Sequence, residues 1–354
     1  MLVTQILVQG IGSVGGLIAG ELTRAGQNLY LVTGNQEISA AINRNGISIS
    51  TSEHSFRVSA QAYTHLREIP VGQSFDCAYL TMMAGGVVDA AQETLPFLSE
   101  EGYLVSFQNG FVEEAIGQAV GIERVISATV AFGTTMDAPG IYRRTTTGRF
   151  IIGEMDGRLS DRVGKLRDTL AHVVETEISD NIIGVLWGKL IWNGAVSCLC
   201  AVSGKSLGDL FDSEIGRELF LQAFRESVDT ATTQDVDIEH VIIDPNDYYL
   251  GIADKPSKRV QILRRMTQFV KMYAGVTPST LESLKRGRKS EIDFLNGYIL
   301  EKATAAGLKP LLNEIVIRMV HEIEAGHRKI TPSNLGELFD ILSTHNSTPV
   351  LGGI

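Results

Sequence analysis

A glycine cluster near the N-terminus constrains the fold of this chain more than any other feature of its sequence. The apolar run Gln5–Gln9, typical of a β-strand, leads into Gly10, Ile11, Gly12, Ser13, Val14 and Gly15, where a helical pattern begins. In such a strand-to-helix turn the first glycine permits a tight turn, the second lets the backbone approach a pyrophosphate, and the third lets helix and strand pack closely. Amides at the start of the helix can then hold the phosphate charge. The context predicts that these six residues bind a dinucleotide, although glycines in a turn can also serve packing alone.

The part of the dinucleotide fingerprint that distinguishes NAD from NADP is missing. It would be an acid for the ribose hydroxyl, or an arginine for a 2′-phosphate, at the end of the second strand. Thr33-Gly34-Asn35 occupies that place. Glu37 and Arg44 follow, but both are expected to be solvent-facing helix residues. These residues leave the cofactor choice open.

Short β-rich runs alternate with helical patterns through the first half of the chain. The predicted strands are Gln5–Gln9, Leu29–Thr33, Cys77–Met82, Tyr103–Phe107 and Val125–Val130, and the predicted helices are Ser13–Ala25, Val87–Leu98 and Glu113–Val120. This βαβ order predicts an α/β Rossmann domain with a doubly wound parallel sheet. The segment Ala138–Glu154 is predicted to form a β-ribbon or edge strands.

Long helical patterns dominate the chain after Ile182. They cover Ile182–Val202, Ser213–Thr232, Lys258–Tyr273, Leu281–Ala306 and Leu311–Glu324. We therefore predict an α/β domain over 1–181, an all-α domain over 182–344 and a flexible tail over 345–354. The acidic segment Asp235–Lys255 is predicted to be a loop or an insertion.

Composition narrows the range of partners. The formal net charge of −10 argues against nucleic acid or an anionic membrane as the main partner, because both need a basic surface. Cys77, Cys198 and Cys200 are too few for a disulfide framework and are expected to be reduced packing residues. The pair Cys198-x-Cys200 lacks the second ligand pair of a zinc site, so no metal is expected.

The sequence predicts neither a signal peptide nor a membrane span. The apolar N-terminus has no basic leader, and Lys189 and Asn193 interrupt the apolar run Ile182–Val202. The cytoplasm is the expected compartment. Because helical second domains often pair, a homodimer is expected.

Lys189, Asn193 and Ser197 form a polar stripe in an otherwise apolar helical segment. Their i, i+4, i+8 spacing places them on one helix face. A desolvated ammonium has a lowered pKa and can release a proton near neutral pH. Carbonyl reduction needs such an acid, because the oxygen must be protonated when hydride reaches the carbon. The alternative is a lysine that reaches water at a domain surface, and the spacing does not decide between the two.

A second polar region begins at Pro278-Ser279. It continues through the charged run Lys285–Lys289 to Glu291 and Asp293, which enter another apolar run. Composition alone favours a helix cap followed by a solvated charge run.

Taken in order, several segments resemble the ketopantoate reductases, also called 2-dehydropantoate 2-reductases. They are the Gly10–Gly15 turn, Gln108-Asn109-Gly110, Ala138-Pro139-Gly140 leading to Ile152-Gly153-Glu154, Trp187-x-Lys189-x-x-x-Asn193, and Ser279 ahead of Ser290-Glu291-Ile292-Asp293-x-x-Asn296-Gly297. The resemblance implies NAD(P)H-dependent reduction of a small-molecule 2-oxo acid to a 2-hydroxy acid, nominally 2-dehydropantoate to pantoate. It favours NADPH over NADH and implies no metal.

The resemblance also implies the catalytic residues. Lys189 matches the lysine that protonates the substrate oxygen and orients the ketone. Asn193, one helical turn later, would help to hold the substrate and the lysine. Glu291 matches the glutamate that bonds the substrate.

Further residues would contact the ligands or support the site. Asn109 would lie at the nicotinamide end of the cofactor and contact the substrate, and Ser279 would meet the substrate carboxylate. Ser197 would be another substrate contact. Asp293 and Asn296 are expected to serve structure more than chemistry, because they lie in the helix that follows Glu291.

The chain departs from the family pattern where phosphate and substrate are recognised. Thr33-Gly34 stands where an arginine is common, and Thr81-Met82-Met83 where a lysine usually ends the strand. Ser197 and Val276 each stand where an asparagine is expected. Two alternatives therefore stay open: the same chemistry on another branched or opine-type substrate, and a nicotinamide-binding sensor without catalysis.

Overall fold

The computed structural model describes residues 4–241 and 277–346, together with the single positions 260, 264, 266–268 and 270. The chain divides into two compact units, Met1–Val185 and Leu186–Ile354. Each unit is described by itself.

The first unit contains twelve strands and five helices in its described part. The strands are β1 (Gln5–Gln9), β2 (Asn28–Val32), β3 (Ile47–Ser50), β4 (Ser55–Val58), β5 (Ala62–Tyr63), β6 (Phe75–Leu80), β7 (Leu98–Ser106), β8 (Val125–Val130), β9 (Thr134–Ala138), β10 (Ile141–Arg144), β11 (Phe150–Glu154) and β12 (Thr176–Ile178). The helices are α1 (Ser13–Arg24), α2 (Gln36–Asn45), α3 (Val87–Thr94), α4 (Glu113–Val120) and α5 (Asp161–Leu170).

Eight of these strands form one sheet in the order β5-β2-β1-β6-β7-β8-β11-β12. All neighbours are parallel except β8 and β11. The order reverses between β1 and β6, which is the switch point of a doubly wound sheet, where a nucleotide binds outside the carboxyl ends of the strands. The predicted Rossmann fold is confirmed.

The central strands are continuous apolar runs because helices cover both faces of a parallel sheet. Every residue of β8 is buried, and Ile6, Leu7 and Val8 of β1 are fully buried. This pattern explains why the strands could be predicted from hydrophobicity alone.

A second sheet, β4-β3-β10-β9, packs against α1. The ring of Tyr142 from β10 occupies the space where a Cβ of Gly16 would lie, and its hydroxyl donates a hydrogen bond to the carbonyl of Ile11 over 3.1 Å. Strands β9 and β10 form a hairpin around Pro139-Gly140, while β11 joins the main sheet. The prediction of a ribbon or edge strands over Ala138–Glu154 agrees with this arrangement.

The second unit is helical throughout its described part. Its helices are α6 (Ile182–Ser203), which begins just before the division, α7 (Leu207–Asp212), α8 (Glu214–Thr233), α9 (Ser279–Lys285), α10 (Ile292–Ala305), α11 (Leu311–Glu324) and α12 (Ser333–Asn346). Helix α6 is long and apolar enough to cross a membrane by length and composition, but 89% of its most apolar stretch is buried within the fold. A core helix has the same length and composition, so this resemblance to a span is weak.

Two predicted helices end elsewhere than expected. The predicted helix Leu281–Ala306 is wrong as one element, because α9 stops at Lys285 and α10 starts at Ile292. Gly287 between them has a φ of +65°, a conformation typical of the residue that ends a helix. The predicted helix Val87–Leu98 stops at Thr94, because Pro96 cannot donate the next helical hydrogen bond.

Some predictions fall on residues outside the described ranges. They are the helix Lys258–Tyr273 apart from single positions, residues 242–255 of the predicted loop Asp235–Lys255, Val276, and the tail from 347 onward.

Candidate active site

The glycine turn joins β1 to α1 at the carboxyl edge of the main sheet. Gly10 has a φ of +95°, and a Cβ there would lie 2.5 Å from the amide nitrogen of Met82. A Cβ on Gly15 would overlap the carbonyl oxygen of Gly10 and the hydroxyl of Thr81. At Gly12, in contrast, no described atom lies within 4 Å of the Cβ position. The turn is closed at its first and third glycines and open at the second, as pyrophosphate binding requires.

The start of α1 is suited to an anion. Its N-cap residue is Gly12, no described side chain caps it, and its first turn holds no acidic residue. The exposed amides and the helix dipole both favour negative charge at this end. The turn and the helix start therefore fit the pyrophosphate of a nicotinamide dinucleotide.

A cleft of about 540 Å³ opens at the carboxyl ends of β1, β2, β5 and β6. It is lined by Gln9, Gly10, Val32, Thr33, Gly34, Thr64, His65, Leu66, Arg67, Met82, Glu93 and Phe97. Glu37 and Arg44 are exposed on α2, as expected, and neither lines the cleft. His65 and Arg67 were not predicted, because they follow β5, a two-residue strand that the sequence pattern did not reveal.

Gln108 fixes the loop that presents Asn109 at the end of β7. Its side-chain nitrogen donates to the carbonyl oxygens of Leu80 (2.8 Å) and Met82 (3.0 Å), and its oxygen accepts from the hydroxyl of Ser106 (2.8 Å). Gln108 is buried, whereas Asn109 stays partly exposed. The amide of Gln108 thus ties two strand ends together and leaves the next side chain accessible.

Glu113, four residues after Asn109, is a buried carboxylate that the sequence did not single out. It accepts hydrogen bonds from the hydroxyl of Ser127 (2.8 Å) and the amide of Val112 (3.1 Å). Burial raises the pKa of Glu113, and these hydrogen bonds oppose that rise. A glutamate in the first turn of a helix is usually solvated, so sequence alone gives no reason to expect it in the core.

In the second unit, α6 holds the predicted polar stripe within an apolar core. Lys189 is 9% exposed and Ser197 is 6% exposed, while Asn193 is partly exposed. The neighbours Leu190 and Ile191 are buried. Such burial favours a desolvated lysine over one that extends to a water-facing surface.

Glycines on both sides of Lys189 let other segments approach α6. The carbonyl oxygen of Glu239 occupies the space of a Cβ on Gly188, and a Cβ on Gly194 would lie 2.9 Å from Ile299 of α10. Trp187 and Tyr298 also pack, with ring centroids 5.7 Å apart. Helix α10 therefore packs against α6, the helix that carries Lys189.

Glu291 is the N-cap residue of α10 and is 4% exposed. The turn before it is fixed by Glu324, the last residue of α11. One oxygen of Glu324 accepts from both the amide (2.8 Å) and the hydroxyl (2.7 Å) of Ser290. Glu324 lies 34 residues away from Ser290, and no pattern in the sequence pointed to this contact.

Asn296 connects α10 to two other helices. Its side-chain nitrogen donates to the carbonyl oxygen of Gly194 on α6 (3.0 Å) and to the side-chain oxygen of Asn313 on α11 (2.8 Å). Asn313 in turn donates to Glu226 on α8 over 2.8 Å. Asp293 accepts a hydrogen bond from His321 over 2.9 Å at the surface. These contacts agree with structural roles for Asp293 and Asn296.

The structure brings together some of the predicted residues but not all. Lys189, Asn193 and Ser197 share α6, and Glu291 begins a helix packed on α6. Ser279 is the exposed first residue of α9, and its side chain makes no hydrogen bond within the described part of the chain. Asn109 belongs to the first unit. The charged run Lys285–Lys289 is exposed, as composition suggested.

Comparisons with known proteins place these features in context. Residues 6–157 match the family described as "Ketopantoate reductase PanE/ApbA", and residues 181–324 match "Ketopantoate reductase PanE/ApbA C terminal". The 2-dehydropantoate 2-reductase of Pyrococcus horikoshii is 26% identical over 323 residues, which cover 91% of this chain and 98% of that protein.

Solved structures share the fold. A PanE/ApbA family ketopantoate reductase from Ralstonia eutropha JMP134 has a TM-score of 0.77 at 24% identity, covering 92% of this chain and 99% of that one. D-mandelate dehydrogenase, solved with NADH and anilino(oxo)acetate, has a TM-score of 0.78 at 18% identity with the same coverage of both chains.

Proposed function

The chain belongs to the ketopantoate reductase family, and from this premise we propose that it reduces a 2-oxo acid to a 2-hydroxy acid with NAD(P)H. The nominal substrate is 2-dehydropantoate, which would become pantoate. The observation that carries the proposal is the burial of Lys189 on an apolar helix, with Asn193 and Ser197 on the same face.

The proposed chemistry assigns one proton transfer to Lys189. The nicotinamide, when bound, supplies the hydride that adds to the carbonyl carbon. The ammonium of Lys189 gives a proton to the carbonyl oxygen and becomes a neutral amine, so that ketone, hydride and proton together give the alcohol. Apolar surroundings strengthen the attraction between the ammonium and the developing alkoxide, because little water screens them.

The other residues position the ligands in this proposal. Gly10 to Gly15 and the start of α1 bind the pyrophosphate, and Asn109 lies at the nicotinamide end. Asn193 and Glu291 hold the substrate, Ser197 adds a contact, and Ser279 meets the carboxylate.

A second candidate substrate is a larger or differently branched 2-oxo acid. By the family resemblance an asparagine is expected at position 197, and the buried Ser197 that stands there would alter the substrate contact proposed for it. The similarity to D-mandelate dehydrogenase, whose complex contains anilino(oxo)acetate, also supports a substrate of this kind.

The test is a reduction assay with the purified full chain. Ketopantoate and a panel of 2-oxo acids are supplied with NADPH and NADH in parallel, and loss of the reduced cofactor is followed. We expect Lys189→Ala to lower kcat by about 10²–10⁴-fold, the usual contribution of a general acid, without changing the Kd of the cofactor. Lys329→Ala, which removes an exposed lysine of the same unit, is the matched control.

The outcomes separate the hypotheses. Turnover of another 2-oxo acid but not ketopantoate would select the second candidate. Cofactor binding without turnover of any 2-oxo acid would favour a non-catalytic sensor and overturn the proposal. Full activity of Lys189→Ala would remove the lysine from the mechanism.

A further inference from the structure

The turn after β5 lies directly beside the end of β2. Strand β5 is the edge strand of the main sheet and pairs in parallel with β2. Past the paired residues, the amide of Thr33 donates to the carbonyl of Tyr63 (2.9 Å) and the amide of Gly34 to the carbonyl of Thr64 (3.0 Å). Residues 65–67 therefore begin where a Rossmann domain recognises the ribose of adenosine.

The end of β2 offers no side chain for that recognition. Gly34 has a φ of +67°, and no described atom lies within 4 Å of its Cβ position. The hydroxyl of Thr33 donates to the carbonyl of Asn35 over 2.7 Å. The side chain of Asn35 caps α2 by accepting from the amides of Glu37 (2.9 Å) and Ile38 (3.1 Å). The space beside Gly34 is open, and its polar neighbours are already engaged.

Arg67 supplies a positive charge to the cleft that Gly34 also lines. It belongs to the 3-10 turn Leu66–Glu68, which buried Leu66 anchors, and its exposed side chain lines the cleft. Among the described residues it makes no ion pair and no hydrogen bond. The adjacent carboxylate, Glu68, is engaged, since it accepts a hydrogen bond from the amide of Thr64 over 2.9 Å.

Other charges near the cleft do not replace Arg67 in this role. Arg67 is the one guanidinium among the lining residues, with His65 beside it, and Glu93 is the one carboxylate. Arg44 lies in the last turn of α2, whereas the end of α2 next to Gly34 is its first turn. A guanidinium presents paired N–H donors that match the geometry of a phosphate.

We propose that Arg67 binds the 2′-phosphate of NADPH and thereby sets the cofactor preference that β2 leaves undecided. The proposal rests on the proposed function, because it assumes that a nicotinamide dinucleotide occupies the cleft. The recognising cation comes from the turn after the neighbouring edge strand instead of from the end of β2.

The experiment compares two small nucleotides that differ only in the 2′-phosphate. Adenosine 2′,5′-bisphosphate and adenosine 5′-monophosphate are titrated calorimetrically into the full chain and into Arg67→Gln. We expect the wild type to bind the bisphosphate at least about tenfold more tightly, the usual effect of a charge-assisted pair. In Arg67→Gln this preference should fall below about threefold, while the monophosphate Kd stays unchanged.

Two further variants and a second readout test the assignment of Arg67. Arg44→Gln removes an exposed arginine from the same unit and should leave both Kd values unchanged. Arg67→Lys keeps the charge without the paired donors and should give an intermediate preference. In the reductase assay, Arg67→Gln should lower the NADPH-to-NADH ratio of kcat/KM by a similar factor.

The contrary results are distinct from one another. A bisphosphate preference that survives in Arg67→Gln would overturn the assignment of Arg67. Equal wild-type affinity for both nucleotides would overturn a 2′-phosphate site but leave the proposed reductase intact. If neither nucleotide bound, both this inference and the proposed cofactor site would fail.

Discussion

Glu226 of α8 is expected to stabilise the helical unit by capping α11, and Glu226→Gln tests this. One oxygen of Glu226 accepts from the amide of Leu312 (2.9 Å), and the other accepts from the amide (3.0 Å) and the side chain (2.8 Å) of Asn313. Leu312 and Asn313 are buried. Their amides belong to the first turn of α11, where no helical carbonyl is available to accept from them.

The size of the effect follows from the chemistry of the replacement. Glutamine offers one acceptor oxygen and one NH₂ group, so in either orientation at least one buried backbone amide faces a donor. A buried donor left without a partner costs about 1–3 kcal/mol. Loss of negative charge at a helix N-terminus adds about 0.3–1 kcal/mol. Relief of the carboxylate's own burial offsets part of this, so we expect a net loss of about 1–3 kcal/mol at pH 7.

The pH dependence of the free energy of unfolding gives a second test, because the direction of the change can be predicted. Burial raises the pKa of Glu226 above its ordinary value of 4.5, and the hydrogen bonds from Leu312 and Asn313 oppose the rise. Between pH 4.5 and the raised pKa, the folded chain binds more protons than the unfolded chain. The contribution of Glu226 to the free energy of unfolding therefore falls as pH rises. Glu226→Gln lacks this term. The stability difference between wild type and variant should therefore be largest at the acid end of the window and narrow with rising pH.

The assay uses the tryptophans of the chain. Its two tryptophans, Trp187 and Trp192, both lie on α6, so their fluorescence during urea unfolding reports on the helical unit. Glu314→Gln is the matched control, because it removes a charge from the same helix turn at an exposed position that makes no side-chain hydrogen bond within the described residues. Equal stability of wild type and Glu226→Gln, an equal loss in Glu314→Gln, or a difference that widens with rising pH would refute the reasoning.

Two further predictions concern buried or anchoring carboxylates. In the wild type, the local stability around Glu113 should fall as pH rises above 4.5, because burial raises the pKa of Glu113. Glu113→Gln should remove this fall, because its side-chain amide does not titrate but can still pair with Ser127. Hydrogen exchange of α4 peptides at several pH values measures this, and an unchanged slope would contradict it. Glu324→Ala should lower kcat/KM for the 2-oxo acid by about tenfold by freeing Ser290 and the turn that holds Glu291. The effect should appear mainly in KM and be rescued in Glu324→Gln, whose oxygen can accept the same bonds; failure of that rescue would count against a positioning role.

The parts of the fold that could be predicted are those where local pattern and burial agree. Strand β8 and helix α11 have the predicted bounds, because continuous burial and helical periodicity leave clear signals. Helix α5 was missed although Ser160 caps it and Val163, Leu166 and Leu170 are buried at helical spacing. Its signal was present but short. The break between α9 and α10 was missed because apolar periodicity on both sides hid the glycine that ends α9.

In the candidate site, too, residues within one element could be predicted, whereas contacts between elements could not. The Lys189 stripe lies within one helix, so spacing alone revealed it. The contacts that support the site join residues far apart in the chain, such as Ser290 with Glu324 or Glu226 with Asn313, which is 87 residues away. Periodicity within an element does not state which elements pair, and a polar residue that pairs across helices has the same local pattern as a solvated one.

The hydrogen-bond network of the helical unit helps to keep Lys189 buried. A lysine in apolar surroundings costs free energy, and a helix able to shift would move it toward water. Asn296 holds the carbonyl of Gly194, one residue after Asn193, and Glu226 holds Asn313, which accepts from Asn296. Packing of α8 and α10 against α6, with α11 bonded to both α8 and α10, thus opposes such a shift. The network that stabilises the unit therefore also keeps the proposed acid in the surroundings where its proton transfer is most effective.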